Sequence, residues 1–170
     1  AASYYGIDIS NTGIQKAKAL NLKNSYFQTG DAHYLPFEKE TFDCVICNSI
    51  LHHLDLEMAL KEINRVLNFE GRLIFREPLG INPIFQIYRK LTPNARTIDE
   101  RPFNLKDLNL LNKYFIMDNL TWFGFLSILS TYLRLKIIRK ILTGIDNLIS
   151  KSILKYLFWQ IAGTVKKRVI

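Results

Sequence analysis

Two hydrophobic periods alternate along the first half of the chain, and each change of period marks a change of element. Tyr4-Tyr5-Gly6-Ile7-Asp8-Ile9 is a short apolar run that predicts a buried strand. A helix is expected next, with Ser10 or Asn11 as its cap and Ile14, Ala17 and Leu20 following. Ser25-Tyr26-Phe27-Gln28 predicts a second strand, closed by Thr29-Gly30-Asp31. Phe42 to Asn48 predicts a third, whose unbroken apolar run suggests cover on both faces, as in parallel sheets. Ala59, Leu60, Ile63, Val66 and Leu67 then repeat with the period of a helix, and Glu57 and Lys61 pair four apart on its other side. Gly71 is expected to supply the turn into a fourth strand over 71–77, stopped by Pro78. Strands alternating with helices predict an α/β domain with a mostly parallel sheet.

The second half is less regular. Residues 78–105 read as a long irregular loop, with Pro78, Pro83, Pro93 and Pro102 and a polar cluster over 96–101; loops of that length are often functional. A short helix is expected over 105–111, a strand over 114–125 and a closing strand over 159–165. Between the last two, the helical period returns. Leu126, Leu129, Leu133, Ile137, Ile141, Ile145 and Leu148 share a face, and Lys136, Lys140, Thr143, Asn147 and Lys151 line a polar stripe.

Composition narrows the class. A chain of 170 residues, 48% hydrophobic and 22% charged, has the size and balance of a single globular domain, too apolar for disorder. Two cysteines do not make a disulfide scaffold and fit a reducing compartment, so a cytoplasmic location is expected. The net charge of +8 is local: residues 126–170 hold nine Lys/Arg and one acid, Asp146, so the rest of the chain is balanced. Residues 126–158 are therefore expected to form a basic amphipathic helical insertion or cap within one domain spanning 1–170. This segment has three readings: a solvated helix face, a cap that admits an apolar substrate, or a surface lying on an anionic membrane. No run reaches the ~18 apolar residues of a spanning helix. Trp122, Phe123, Phe125, Tyr156, Phe158 and Trp159 sit in apolar runs rather than among the charges, so no nucleic-acid partner is expected. The chain opens on strand-like text without Met or a signal peptide, and an upstream part is expected.

Three features carry chemistry. Asp8 ends the first strand, where an acid can accept hydrogen bonds from both hydroxyls of a ribose. Gly30-Asp31-Ala32, followed by Leu35-Pro36-Phe37, ends the second; an acid there can accept an exocyclic amine of adenine while backbone addresses the ring edge. Phe42 to Leu54 runs from a buried strand through Asn48 and Ser49 to His52 and His53. Cys44 and Cys47 are three apart on a strand and point to opposite faces, so they are read as buried thiols that neither bridge nor share a metal. His33, His52 and His53 form no metal-ligand spacing, and no metal is expected.

These motifs, in this order, resemble the class I S-adenosylmethionine-dependent methyltransferases, and in particular the branch that includes quinone-biosynthesis methyltransferases. Gly6-Ile7-Asp8-Ile9-Ser10, Gly30-Asp31-Ala32, Leu35-Pro36-Phe37, Thr41 to Ile46, His52-His53-Leu54, Glu62 to Leu67 and Gly71 to Ile74 carry the likeness, mainly over residues 4–78. The resemblance implies a Rossmann-like fold with an antiparallel last strand over 159–165. It implies S-adenosyl-L-methionine as cofactor, with Asp8 on the ribose, Ile9 against the adenine face, Asp31 and Ala32 at the adenine edge, and Asn48 beside the methionine moiety. The implied reaction is direct displacement of a methyl group from sulfonium to a small or lipid-like acceptor. His52, His53 and Glu77 are then the candidate bases for acceptors protonated at neutral pH. Two departures stand out. No Gly-x-Gly occurs in the chain, so the family's first strand and glycine-rich loop are expected to be lacking, and the usual Pro-Gly-Gly turn reads Phe69-Glu70-Gly71. The rival readings are a degenerate Rossmann-like domain acting as a binding or membrane-surface module without turnover, and a nucleotide-sugar or dinucleotide enzyme that uses the same rim acid.

Overall fold

A computed structural model describes residues 2–92, 101–127 and 136–168. In chain order the elements are β1 (Tyr4–Asp8), α1 (Asn11–Ala19), β2 (Ser25–Thr29), β3 (Phe42–Asn48), α2 (Leu56–Val66), β4 (Leu67–Pro78), α3 (Pro83–Leu91), α4 (Leu105–Tyr114), β5 (Phe115–Phe123), α5 (Lys136–Ile149) and β6 (Gln160–Lys167). Short 3-10 turns stand at Leu51–His53 and Ile153–Leu157.

Most helix starts are set by side-chain caps, which satisfy backbone donors that the helix leaves open. Ser10 Oγ accepts from the Gly13 amide at the start of α1, and Asp55 Oδ1 from the Met58 amide at the start of α2. Asn104 and Asp107 form a capping box on α4. The expected irregular loop over 78–105 is corrected by α3. Asn82 Oδ1 accepts from the Phe85 amide, and Pro83 fills the first helical position, where a missing N–H costs nothing. Of the polar cluster over 96–101 only Arg101 lies among the described residues; it forks onto the two carboxylate oxygens of Asp107 at 2.9 and 3.0 Å.

The strands form two sheets. In one, β1 pairs parallel with β2; in the other the order is β3-β4-β6-β5, with β3 and β4 parallel and β6 antiparallel to both of its neighbours. The antiparallel last strand is therefore as expected. On one face of the larger sheet, Leu73, Phe75 and Ile161 meet Leu60 and Ile63 of α2 and Leu108 and Leu111 of α4 in a single core. Gly163 lies opposite Phe75, and a Cβ there would come within 2.7 Å of the Phe75 ring, so glycine lets the ring cross the strand.

No strand joins β1 to β3 among the described residues, and a seam separates the two sheets. The N-terminal ends touch across it through the Tyr5 and Phe42 rings, centroids 5.6 Å apart. Just beyond the opposite ends, His33 Nε2 accepts from the Asp55 amide at 2.9 Å. Both sheets therefore point their carboxyl ends at the same rim. Exposure on the two strands corrects two expectations. Far from buried, β1 leaves Tyr4 63% and Tyr5 50% exposed, and β3 is covered on one face only, with Ile46 72% exposed. The core packs against Val45 and Cys47 on one face of β3, leaving Cys44 and Ile46 open on the other. The turn expected at Gly71 is also different in kind. Leu67 pairs with Phe42 and Arg72 with Cys44, so residues 68–71 loop out of one continuous β4.

Candidate functional site

The rim is built from the ends of parallel strands, where side chains and amides face away from the sheet. Asp8 closes β1 in register with Thr29 of β2, and the Gly30 amide donates to the Asp8 carbonyl at 3.1 Å. That bond keeps Asp8, at the end of β1, and Asp31, just past the end of β2, at the same rim. Asp8 Oδ1 accepts from the Ser10 amide at 2.7 Å, and the carboxylate is exposed. Ile9 projects beside it, 79% exposed. Asp31 Oδ1 accepts from the amide and from Nδ1–H of His33, at 2.9 and 2.7 Å. Since His33 Nε2 accepts from Asp55, the ring is the neutral Nδ1–H form. The His33 amide is the first cause holding the Asp31 carboxyl below its usual range.

The adenosyl half of the cofactor fits this arrangement. Among the described residues, Asp31 Oδ2 and the Ala32 amide make no hydrogen bond, leaving an acceptor next to a donor. An adenine edge presents the complementary pair, a donor amine beside an acceptor ring nitrogen.

Asn48 closes β3, exposed, in register with Arg76 of β4. The chain then turns sharply. Ser49 takes a left-handed φ of 54°, and its amide donates to the Arg76 carbonyl at 2.7 Å. Glu77 locks the 3-10 turn after Ser49. Fully buried, it accepts from the Ile50 and Leu51 amides through Oε1 at 3.1 and 2.9 Å, and its Oε2 lies 2.6 Å from His52 Nδ1. His52 is itself buried, and the His53 ring lies 4.0 Å from it, centroid to centroid. The structure thus brings the three candidate bases together, with Glu77 as the hub. Sequence spacing could not reveal that link, because Glu77 and His52 are 25 residues apart.

A cavity of about 420 Å3 opens on the same rim, one strand beyond Asn48. Pro78, Phe85, Phe123 and Trp159 make it apolar, and Arg76 and Gln160 supply its polar edge. The Arg76 guanidinium bonds Gln160 Oε1 and lies over the Phe123 ring, 5.3 Å from its centroid. Sequence reading missed this pocket because it needs α3, which the prolines concealed. A second cavity of about 410 Å3, between α1 and β2, carries no titratable group except Lys18 and Tyr26. Neither cavity touches Asp8 or Asp31.

The cysteines lie on opposite faces of β3, as expected, but only Cys47 is buried; Cys44 is exposed on the open face. Burial pushes the Cys47 thiol up to about 12, whereas Cys44 is raised less. Among the described residues, no three His, Cys, Asp or Glu side chains converge on a possible metal position.

Known proteins share both the text and the shape. Residues 1–75 match the family model described as a methyltransferase domain. The match covers β1 through most of β4. The chain is 31% identical over 115 residues, 66% of this chain and 42% of the relative, to a phthiotriol/phenolphthiotriol dimycocerosates methyltransferase of Mycobacterium ulcerans. It is 36% identical over 78 residues, 45% of this chain and 34% of the relative, to a demethylmenaquinone methyltransferase of Thermotoga maritima. The chain thus spans well under half the length of these curated relatives. Among solved structures, a SAM-dependent methyltransferase of Methanosarcina mazei aligns with 99% of this chain and 83% of its own at 18% identity, TM-score 0.68. A geranyl diphosphate methyltransferase in complex with SAM aligns with 98% of this chain and 69% of its own at 16% identity, TM-score 0.68. The Rossmann-like methyltransferase fold is therefore shared along almost the whole chain, while the sequence likeness of the domain is concentrated in β1 to β4.

Proposed function

We propose that the protein transfers a methyl group from S-adenosylmethionine to an apolar, lipid-like acceptor held in the cavity beside Arg76. The observation that carries this reading is the placement of Asp8 at the end of β1 and of Asp31 two residues past the end of its parallel neighbour β2, at one rim, within the stretch that matches a methyltransferase domain. Asp8 binds the ribose hydroxyls, Ile9 covers the adenine face, and Asp31 Oδ2 with the Ala32 amide reads the adenine edge. Asn48 lies beside the methionine moiety.

The cofactor, when bound, supplies a methyl group on a positively charged sulfur, so the leaving group is already activated. The chain has mainly to align the acceptor and exclude water. Phe85, Phe123 and Trp159 fit an apolar body, and Arg76 fits an anionic or polar end. Where the acceptor carries a proton at neutral pH, His52 is the candidate base. With Nδ1–H donating to Glu77, its Nε2 lone pair is the one left to take the proton. Glu77 positions that ring, and His53 packs against it. The names of the relatives, one acting on phthiotriols and one solved fold on geranyl diphosphate, agree with a lipid-like acceptor.

Calorimetric titration with S-adenosylhomocysteine tests the cofactor site. Saturable heat that disappears in Asp8→Ala is expected; this exposed carboxylate holds only the Ser10 amide, so the variant keeps its fold. Absence of binding by the wild-type protein would favour a binding module without turnover, and a preference for a nicotinamide dinucleotide would favour a dinucleotide enzyme.

A further inference from the structure

The isoleucine stripe that the sequence places on the helix of residues 126–158 does not face the core. On α5, Ile137 is 75%, Ile141 57%, Ile145 38% and Leu148 73% exposed. At 100° per residue these four fall within an arc of about 80°. Ile138, Leu142, Asp146 and Ile149, the residues that α5 turns inward, occupy the next arc round. The helix is therefore apolar over two adjoining arcs, and the protein covers only one.

The charges around that bare arc have one sign. Lys136, Arg139 and Lys140 on α5, and Lys151 and Lys155 after it, are the described basic residues of this region; Lys140 lies about 60° round from the stripe and Lys136 about 40° beyond it on the same side. The region's one acid, Asp146, is withdrawn from the surface. It is 2% exposed, and its carboxylate accepts from the amides of Phe125, Leu126 and Ser127 and from the Ser127 hydroxyl. The other described C-terminal charges lie elsewhere: Lys166 and Lys167 end β6 and Arg168 follows it, and Lys167 Nζ donates to the Leu67 carbonyl.

A bare apolar stripe bordered by cations, with the region's only acid turned inward and held by four hydrogen bonds, is complementary to one kind of surface. We infer that α5 lies in the plane of an anionic lipid bilayer, with Ile137, Ile141 and Leu148 in the acyl boundary and Lys136 and Lys140 at the phosphates. The mode is peripheral, since no described helix is long and apolar enough to cross a membrane. A second copy of the chain is the weaker occupant, because a symmetric pair of these faces would bring like charges together. Asp146 gives the inference a link to the cavity. It fastens α5 to residues 125–127, and Ser127 lines the Arg76 cavity, so the docked helix sets that opening close to the bilayer.

Flotation with vesicles tests this, independently of any methyl-transfer activity. The wild-type protein is expected to float with phosphatidylcholine vesicles containing phosphatidylglycerol, to float poorly with phosphatidylcholine alone, and to release at high salt. Ile137→Gln/Ile141→Gln is expected to lower binding at least about tenfold, and Lys136→Glu/Lys140→Glu to remove the preference for anionic lipid. All four positions are exposed, so circular dichroism of the variants should match wild type. Failure of the wild type to float overturns the inference. So does binding that the isoleucine variant leaves unchanged, or a concentration-dependent dimer in sedimentation that the isoleucine variant abolishes in place of vesicle binding.

Discussion

Replacing Glu77 with alanine takes one acceptor group from three donors at once: the Ile50 amide, the Leu51 amide and His52 Nδ1. Leu51 and His52 are buried, so water cannot readily replace the lost partner. A buried donor left without its acceptor costs about 1–3 kcal/mol, with the larger values where the lost acceptor is a carboxylate. The losses overlap, so a destabilisation of about 3–5 kcal/mol is expected for Glu77→Ala, a large share of the ~5–15 kcal/mol that holds a domain. Glu77→Gln keeps an oxygen for the two amides but sets an N–H against His52. It should cost less, about 1–2 kcal/mol. Urea unfolding followed by the fluorescence of Trp122 and Trp159 reads both values. A cost below ~1 kcal/mol for the alanine variant, with an unchanged denaturant slope, would refute the role given to Glu77 as the fastener between β4 and the turn after β3.

Glu57 gives a pH prediction. Its bonds to Lys113 Nζ and the Tyr114 hydroxyl hold its carboxyl down at about 2, against an ordinary 4.5. A folded value below the unfolded one stabilises above the unfolded value and is lost as pH falls through the folded one. The contribution of this α2–α4 link should therefore fade between about pH 4.5 and about 2, and Glu57→Gln should flatten stability against pH in that window, as read by urea midpoints at successive pH. Cysteine labelling makes a third test. Iodoacetamide on the folded protein should modify Cys44 alone, because Cys47 is buried and its thiol is held at about 12. Mass spectrometry should find one adduct under native conditions and two in denaturant.

Much of the fold is legible in the text of the chain because its signals are local. Ser10 and the apolar positions of α2 act within a turn or two of themselves, and they set α1 and α2 where the pattern places them. The features that stayed hidden depend on distant partners. The Asn82-Pro83 pair reads equally as a loop or as a capped helix start, and only packing distinguishes them. The stripe of α5 leaves three readings open, since periodicity records that a helix has an apolar side but not what that side meets. The rim acids Asp8 and Asp31 could be named from their places at strand ends. The tie between Glu77 and His52 could not, because it spans β4 and the turn after β3.

The seam between β1 and β3 divides the molecule energetically as well as in space. Residues 4–30 share no ladder with the larger sheet among the described residues; they are coupled to it through the Tyr5, Phe37 and Phe42 rings and the His33–Asp55 bond. Next to them, Arg65 and Glu62 on α2 staple the Leu35 and Phe37 backbone. A unit that shares no ladder with the four-stranded sheet among the described residues can open sub-globally while that sheet stays closed. Asp8 and Asp31 sit on or beside that unit, and Asn48 belongs to the core. A ligand that bridges them would bind only the closed form, and would make two weakly coupled folding units act as one.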